Sequence, residues 1–141
     1  MPKLQLPERF YLVVGDTFEL FYKGIINAIN TDCYDVEFTF SDKANLGNSY
    51  KRKYVFTPEE KDVGEHTLFI TLRGNDGEEL DTQSVILEIN PKPVSPEKET
   101  VILIIGDSIM NSGNVASEFY RRLTATDGSP VGYGLQNIKF I

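Results

Sequence analysis

Between residues 10 and 90 apolar and polar side chains alternate in short runs. TFELFY, residues 17–22, sets Phe18, Leu20 and Tyr22 against Thr17, Glu19 and Phe21. YDVEFTF, residues 34–40, puts Tyr34, Val36, Phe38 and Phe40 on one face and Asp35, Glu37 and Thr39 on the other. HTLFITL brings His66, Leu68, Ile70 and Leu72 into register, and SVILEI does the same for Val85, Leu87 and Ile89. A period of two with one polar face predicts half-buried antiparallel strands. Turn chemistry separates the runs: Val14-Gly15-Asp16, Asn45-Leu46-Gly47, and Asn75-Asp76-Gly77 within RGNDGEE. The last of these joins two strand-like runs and predicts a hairpin. Strands at this spacing, with no helical period among them, predict a β-sandwich over residues 1–90.

The stretch FTPEEKDVGEHTLFITLRGNDGEELDTQSVILEI, residues 56–89, resembles the last strands of bacterial immunoglobulin-like modules. In those an Asp-x-Gly-x-Tyr corner precedes a strand, a hairpin and a final strand. Here the corner is Asp62-Val63-Gly64-Glu65-His66, with His in place of Tyr. The resemblance implies a fold and no ligand.

Next comes NPKPVSPEKET, in which Pro91, Pro93 and Pro96 stand among charges. Proline lacks an N–H and has a fixed φ, so it cannot sit inside a sheet ladder; residues 91–100 are expected to form a semi-rigid linker. Beyond it the pattern changes. TVILII is a continuous apolar run, as expected of a parallel strand buried on both faces. Val115, Phe119 and Leu123 then fall on one helical stripe. Asn114 is the expected N-cap, and Glu118 with Arg122 an i,i+4 pair of favourable polarity. TDGSPVGYG ends the helix and NIKFI starts another strand, giving β-α-β over residues 101–141.

Between that first strand and the helix lies Gly106-Asp107-Ser108. Ligands of open α/β sheets bind outside the carboxyl ends of strands, and backbone N–H groups at a helix start can stabilise an oxyanion. Strand-Gly-Asp-Ser-helix resembles the first conserved block of the SGNH (GDSL-type) hydrolases, serine esterases and acyl hydrolases on a flavodoxin-like α/β/α sandwich. The resemblance implies that Ser108 is a nucleophile whose own N–H is one oxyanion donor, and that Gly106 and Asp107 shape the turn. Met110 stands where the family usually has a small hydroxyl residue. The family's further oxyanion donors, a Gly and an Asn, and its Asp-x-x-His pair have no counterpart after Ser108 in this chain. The fold class expected is therefore mainly β: an immunoglobulin-like sandwich followed by a truncated β-α-β start of an SGNH domain.

Composition narrows the partners. Hydrophobic residues make up 40% and charged residues 25%, enough for a core and typical of a globular chain. The formal net charge is −7. Residues 1–100 carry 11 basic and 18 acidic side chains, and residues 101–141 carry 3 of each. That acidity argues against nucleic acid or an anionic membrane as partner. No apolar run approaches the ~18–20 residues that span a bilayer. A single cysteine, Cys33, excludes an internal disulfide. MPKLQLPERF has no apolar signal core, so a secreted or cell-surface bacterial location is expected only where a leader has been removed.

Each candidate residue has a plainer role beside the sharp one. Ser108 is a nucleophile in the esterase reading and otherwise a turn serine. A phosphate loop does not fit, because Asn111 stands where the second Gly belongs and no Lys follows. His66, the only histidine, is expected to be structural rather than a base for Ser108. Cys33 has no neighbouring cation in sequence to activate it. Tyr22, Tyr34, Phe38, Phe40, Tyr50, Tyr54 and Phe56 are expected mostly in core and cross-strand pairs rather than in a sugar-stacking platform. YKRKY, residues 50–54, is expected to be a solvated strand edge that resists aggregation. A hydroxyl without a general base is a poor nucleophile. The chain is therefore expected to be the catalytically silent front of an ester hydrolase that acts on an ester substrate, an O-acetylated polysaccharide by family analogy, and uses no metal or organic cofactor. The alternative is a non-catalytic immunoglobulin-like binding or spacer module. The apolar strand at 101–105 is expected to find cover by self-association through residues 101–141 or against the β-module.

Overall fold

A computed structural model of the chain describes residues 1–42, 44–106 and 114–141. Two compact units divide it, Met1–Pro91 and Lys92–Ile141.

Among the described residues the first unit holds seven strands: β1 (Arg9–Val13), β2 (Phe18–Phe21), β3 (Asp35–Phe40), β4 (Asn48–Ser49), β5 (Lys53–Phe56), β6 (Gly64–Arg73) and β7 (Glu79–Asn90). One sheet runs β1-β7-β6-β3 and the other β2-β5-β4. The long β6–β7 hairpin is antiparallel, pairing Leu68 with Val85 and Ile70 with Gln83, and it turns through Gly77 at φ 81°. β1 lies parallel to β7, with Leu12 opposite Ile89. First and last strands are thus neighbours, which closes the sheet on its long hairpin. This is a β-sandwich, and mainly β is the character of the described chain.

Period two decides what is buried. In β3, β6 and β7 the expected inward residues face the core; Leu68, Ile70, Leu72 and Leu87 are fully inaccessible, while Asp35, Glu37 and Thr39 stay outside. Between the sheets Phe38 of β3 stacks on Tyr54 of β5, ring centroids 4.5 Å apart, and on Tyr22 at 5.9 Å. Phe10 and Phe18 make a second inter-sheet pair at 5.2 Å. Such aromatic pairs add about 0.5–1.5 kcal/mol beyond their buried area. Gly47, at φ +71°, is obligatory, since a Cβ there would lie 2.5 Å from the Tyr54 hydroxyl.

Two expectations about this unit need correction. TFELFY does not stay extended to its end: after Phe21 the chain coils into a one-turn helix, α1 (Tyr22–Ile25), which still buries Tyr22 and Ile25. YKRKY is not a solvated strand edge. Tyr54 is only 2% exposed, β5 is the central strand of its sheet, and Lys51-Arg52 form the tip of the β4–β5 hairpin, closed by Tyr50 N–H to the Lys53 carbonyl at 2.8 Å.

The second unit contains β8 (Thr100–Ile102), α2 (Val115–Thr124) and β9 (Ile138–Phe140), with β8 and β9 parallel. Backbone bonds carry the ladder a little further, Ile104 N–H to the Ile141 carbonyl at 3.3 Å and Ile141 N–H to the Ile102 carbonyl at 3.0 Å. Of the stretch 91–100 expected as a linker, Thr100 already belongs to β8. Ser95 Oγ accepts from Gln136 N–H at 2.9 Å, and the Pro96 carbonyl accepts from Asn137 Nδ2 at 3.0 Å. The expected burial of TVILII on both faces is not observed: Val101 is 48%, Leu103 63% and Ile105 82% exposed. A two-stranded sheet with one helix cannot cover both faces of a strand.

Candidate functional site

The chemistry suggested by the sequence centres on the passage from β8 to α2. β8 ends at Ile102, the chain runs on to an exposed Gly106, and α2 begins after Asn114. Asp107 and Ser108, with Met110 and Asn111, lie outside the described residues. Asn114 holds the N-cap position in left-handed backbone, φ 54° and ψ 16°, and its side chain makes no cap hydrogen bond. Its carbonyl accepts the first helical bond, from Glu118 N–H at 2.9 Å. The expected side-chain cap is therefore replaced by a backbone reversal.

The helix is anchored at its far end. Glu118 pairs with Arg121, one residue earlier than the spacing argument expected, through Nη2 at 2.5 Å and Nε at 2.7 Å. The Arg121 guanidinium holds the Glu118 carboxyl below the usual carboxylate range. Arg121 also donates to the carbonyls of Asp127 at 2.8 Å and Pro130 at 3.0 Å. Arg122 serves the return loop, donating to the Val131 carbonyl and lying over the Tyr133 ring at 5.0 Å. Two cations at a helix C-terminus also oppose its dipole. Phe119 and Tyr120 rest edge-on against Phe140 of β9, at 5.6 and 5.1 Å. The crossover that carries Gly106-Asp107-Ser108 in its sequence is thus a stitched β-α-β unit.

His66 is held as a corner residue. Its Nε2 lies 2.9 Å from the Asp62 carbonyl and its Nδ1 3.0 Å from Asp42 Oδ2. Burial pushes the imidazole pKa down, but the Asp62 carbonyl and the Asp42 carboxylate outweigh it, and the net shift is upward. Asp42 in turn lies below its usual range, held first by Ala44 N–H and then by His66. Both ring nitrogens face acceptor oxygens of the β-unit, which favours the protonated ring over a free base. Cys33 is half-buried and accepts a hydrogen bond from Asn30 Nδ2 at 3.2 Å. Among the described residues no group of three or more His, Cys, Asp or Glu is arranged to hold a metal ion. No helix among them is long and apolar enough to cross a membrane.

The aromatic residues divide. Tyr22, Phe40, Tyr54 and Phe56 are buried, whereas Tyr50 is 58% and Phe21 52% exposed. Burial pushes the Tyr54 phenol far above its ordinary pKa, and its hydroxyl donates to the Leu46 carbonyl. Phe21 borders a cleft of about 430 Å³, lined also by Tyr22, Lys23, Asn30, Asp32 and Arg52 among others. Sequence reasoning missed this cleft. Its one sequence signal is the run Lys51-Arg52-Lys53 inside an otherwise acidic stretch.

No protein-family model matches the chain, and no curated protein does. Solved structures align with it at low identity. An endo-fucoidan hydrolase, MfFcnA4 of glycoside hydrolase family 107, matches 60% of this chain at 15% identity with a TM-score of 0.41. The chain spans only 13% of that enzyme's length. The fibronectin(III)-like modules of Clostridium thermocellum CbhA match 64% of the chain and 98% of their own length, at 15% identity and a TM-score of 0.40. Murine CRIg matches 66% of the chain and 99% of its own length, at 13% identity and a TM-score of 0.34.

Proposed function

We propose that the chain is the front part of an SGNH-type serine ester hydrolase, preceded by an immunoglobulin-like module. What supports the reading is the conjunction of Gly106-Asp107-Ser108 in sequence with a parallel β8–α2–β9 crossover on either side of it. In open parallel sheets that connection is where substrates bind. Ser108 Oγ attacks the ester carbonyl, the alcohol leaves, and water then releases the acyl group from the serine. The Ser108 N–H is one of the oxyanion donors, as the family resemblance implies. His66 is the only histidine and is fully engaged in the β-unit, so the base comes from outside these 141 residues. The 141-residue chain alone is then inactive. An O-acetylated polysaccharide is the substrate class that the family analogy suggests.

The test is hydrolysis of p-nitrophenyl acetate by the longer parent protein, with and without Ser108→Ala, beside the 141-residue chain. We expect the substitution to lower kcat by three orders of magnitude or more, on the order of the loss when a serine nucleophile is removed. A parent that does not hydrolyse the ester, or does so indifferently to Ser108→Ala, ends the esterase reading. The competing reading, an immunoglobulin-like binding module, draws on the cleft beside Phe21.

A further inference from the structure

That cleft lies within the first unit. Its walls are α1, a 3₁₀ turn at Thr31–Cys33 and the tip of the β4–β5 hairpin. A second recess of about 270 Å³ adjoins it and shares Tyr22, Asp32 and Lys51. The larger volume lies in the range of small-ligand sites, about 300–1,000 Å³.

The walls are fixed by buried or local bonds. Tyr22 bonds Ser49 Oγ through its hydroxyl at 2.6 Å, and its N–H donates to the Arg52 carbonyl at 3.0 Å. Asp32 N–H donates to Asn30 Oδ1 at 3.1 Å, which holds the turn. The hairpin tip is closed as described, so Lys51 and Arg52 project from a defined turn.

Charge in the unit is distributed against its average. Residues 1–91 carry 9 basic and 16 acidic side chains, yet Lys23, Lys51, Arg52 and Lys53 gather at this one place. Lys53 is committed, pairing with Glu19 beneath the Phe21 ring. Among the described residues Lys23 and Lys51 make no ion pair. Arg52 touches only Asp32, at 3.8 Å and well exposed, a contact worth little in water. Three cations are therefore available around one recess, next to the exposed Phe21 ring, with the exposed Tyr50 on the adjoining recess. Asn30 and Thr31 add neutral hydrogen-bonding groups, Asp32 adds an acceptor shared by both recesses, and Asp35 adds one in the second.

We infer that this cleft binds a short acidic saccharide, with its carboxylate or sulfate group held by Lys23, Lys51 and Arg52 and a sugar face laid on Phe21, or on Tyr50 where the saccharide reaches the adjoining recess. A pyranose ring offers the apolar C–H face that an exposed aromatic ring covers, and hydroxyl groups for Asn30, Thr31 and Asp32. Asp35, which lines the second recess and not the larger one, disfavours an anion there, so the acidic group sits in the larger recess. The acidic remainder of the unit disfavours a long uniform polyanion such as nucleic acid. The inference stands on the β-unit alone and does not depend on the role of Ser108.

Titration calorimetry of the 141-residue chain tests it with four probes: trigalacturonate, a monosulfated disaccharide, neutral maltotriose and a short oligothymidylate. One site per chain is expected for at least one acidic saccharide, weakened by salt, and the two acidic probes tell carboxylate from sulfate recognition. Losing a hydrogen bond to a charged group should weaken binding about tenfold in Lys51→Gln and in Arg52→Gln. Phe21→Ala with Tyr50→Ala should also weaken it. Lys61→Gln, a cation outside the cleft paired with Glu59, should bind as the wild type does. Circular dichroism confirms that each variant is folded. The inference is overturned if neither acidic saccharide binds, if maltotriose or oligothymidylate binds as well, or if Lys61→Gln weakens binding as much as Lys51→Gln.

Discussion

The two units of this chain solve the same problem, hiding apolar side chains, with unequal success. Among the described residues sixteen buried apolar side chains belong to Met1–Pro91, and Leu135 alone to Lys92–Ile141. The first unit alternates apolar with polar positions, so each strand has a face for the core and a face for water. The second has a continuous apolar strand, which needs cover on both sides. It has one strand neighbour and one helix, and Leu103 and Ile105 remain exposed. Patterning that suits a two-layer sandwich is self-sufficient in about ninety residues. Patterning that suits a doubly covered parallel sheet depends on further layers.

The largest effect that can break this comparison lies in the cores. Ile70→Ala removes a fully buried side chain from β6 and is expected to destabilise the first unit by about 2–5 kcal/mol in urea unfolding. Leu103→Ser, at an exposed position, is expected to change unfolding by no more than about 0.5 kcal/mol. If chains associate through residues 101–141, the same substitution shifts sedimentation towards the monomer. A wild-type monomer whose residues 101–141 exchange amide hydrogens rapidly would remove that association from consideration.

A smaller effect tests the inter-sheet contact. Tyr54→Phe keeps the ring against Phe38 but leaves the Leu46 carbonyl without its donor, at a cost of about 1–2 kcal/mol. An unchanged unfolding midpoint would mean that water replaces the hydroxyl.

The smallest effect is a pH dependence at the corner. The folded pKa of His66 is raised, so its contribution to stability is fully present below its unfolded value of about 6.5 and fades as pH rises through the folded value. Asp42 is shifted the other way, and its contribution fades as pH falls through its lowered folded value. The stability difference between wild type and His66→Gln should therefore be larger at about pH 5.5 than at about pH 8.5, measured by thermal unfolding in each buffer. Equal differences at both values would assign His66 a packing role only.

Where the sequence was legible, local chemistry and tertiary demand agreed. β3, β6 and β7 alternate cleanly, and the β6–β7 turn carries Gly77 where positive φ is needed. β1 was hidden because RFYLV buries only Leu12, and its partner β7 lies far along the chain. β5 was masked by the charges of YKRKY, whose polar residues occupy the hairpin tip while Tyr54 turns inward. The pairing of Glu118 with Arg121 rather than Arg122 follows from the return loop, whose carbonyls recruit both arginines and which no helical spacing rule contains. The candidate nucleophile was legible only as a motif, since Gly-Asp-Ser says what could react and not what surrounds it. The cleft was illegible for another reason: Lys23 and Lys51 are far apart in sequence, and only the folding of α1 towards the hairpin tip makes them lining residues of one recess.

The parallel pairing of β1 with β7 has a mechanical consequence. Tension applied through the two ends of the first unit pulls β1 backwards and β7 forwards along the same line. Hydrogen bonds across a register of five residue pairs, Arg9 with Ile86 through Val13 with Asn90, are then loaded together in shear rather than peeled one at a time. Forced opening is governed by the unfolding rate, and a barrier that requires several bonds to yield at once lowers that rate. The same strands that complete the sandwich therefore make it a module that resists being drawn apart end to end.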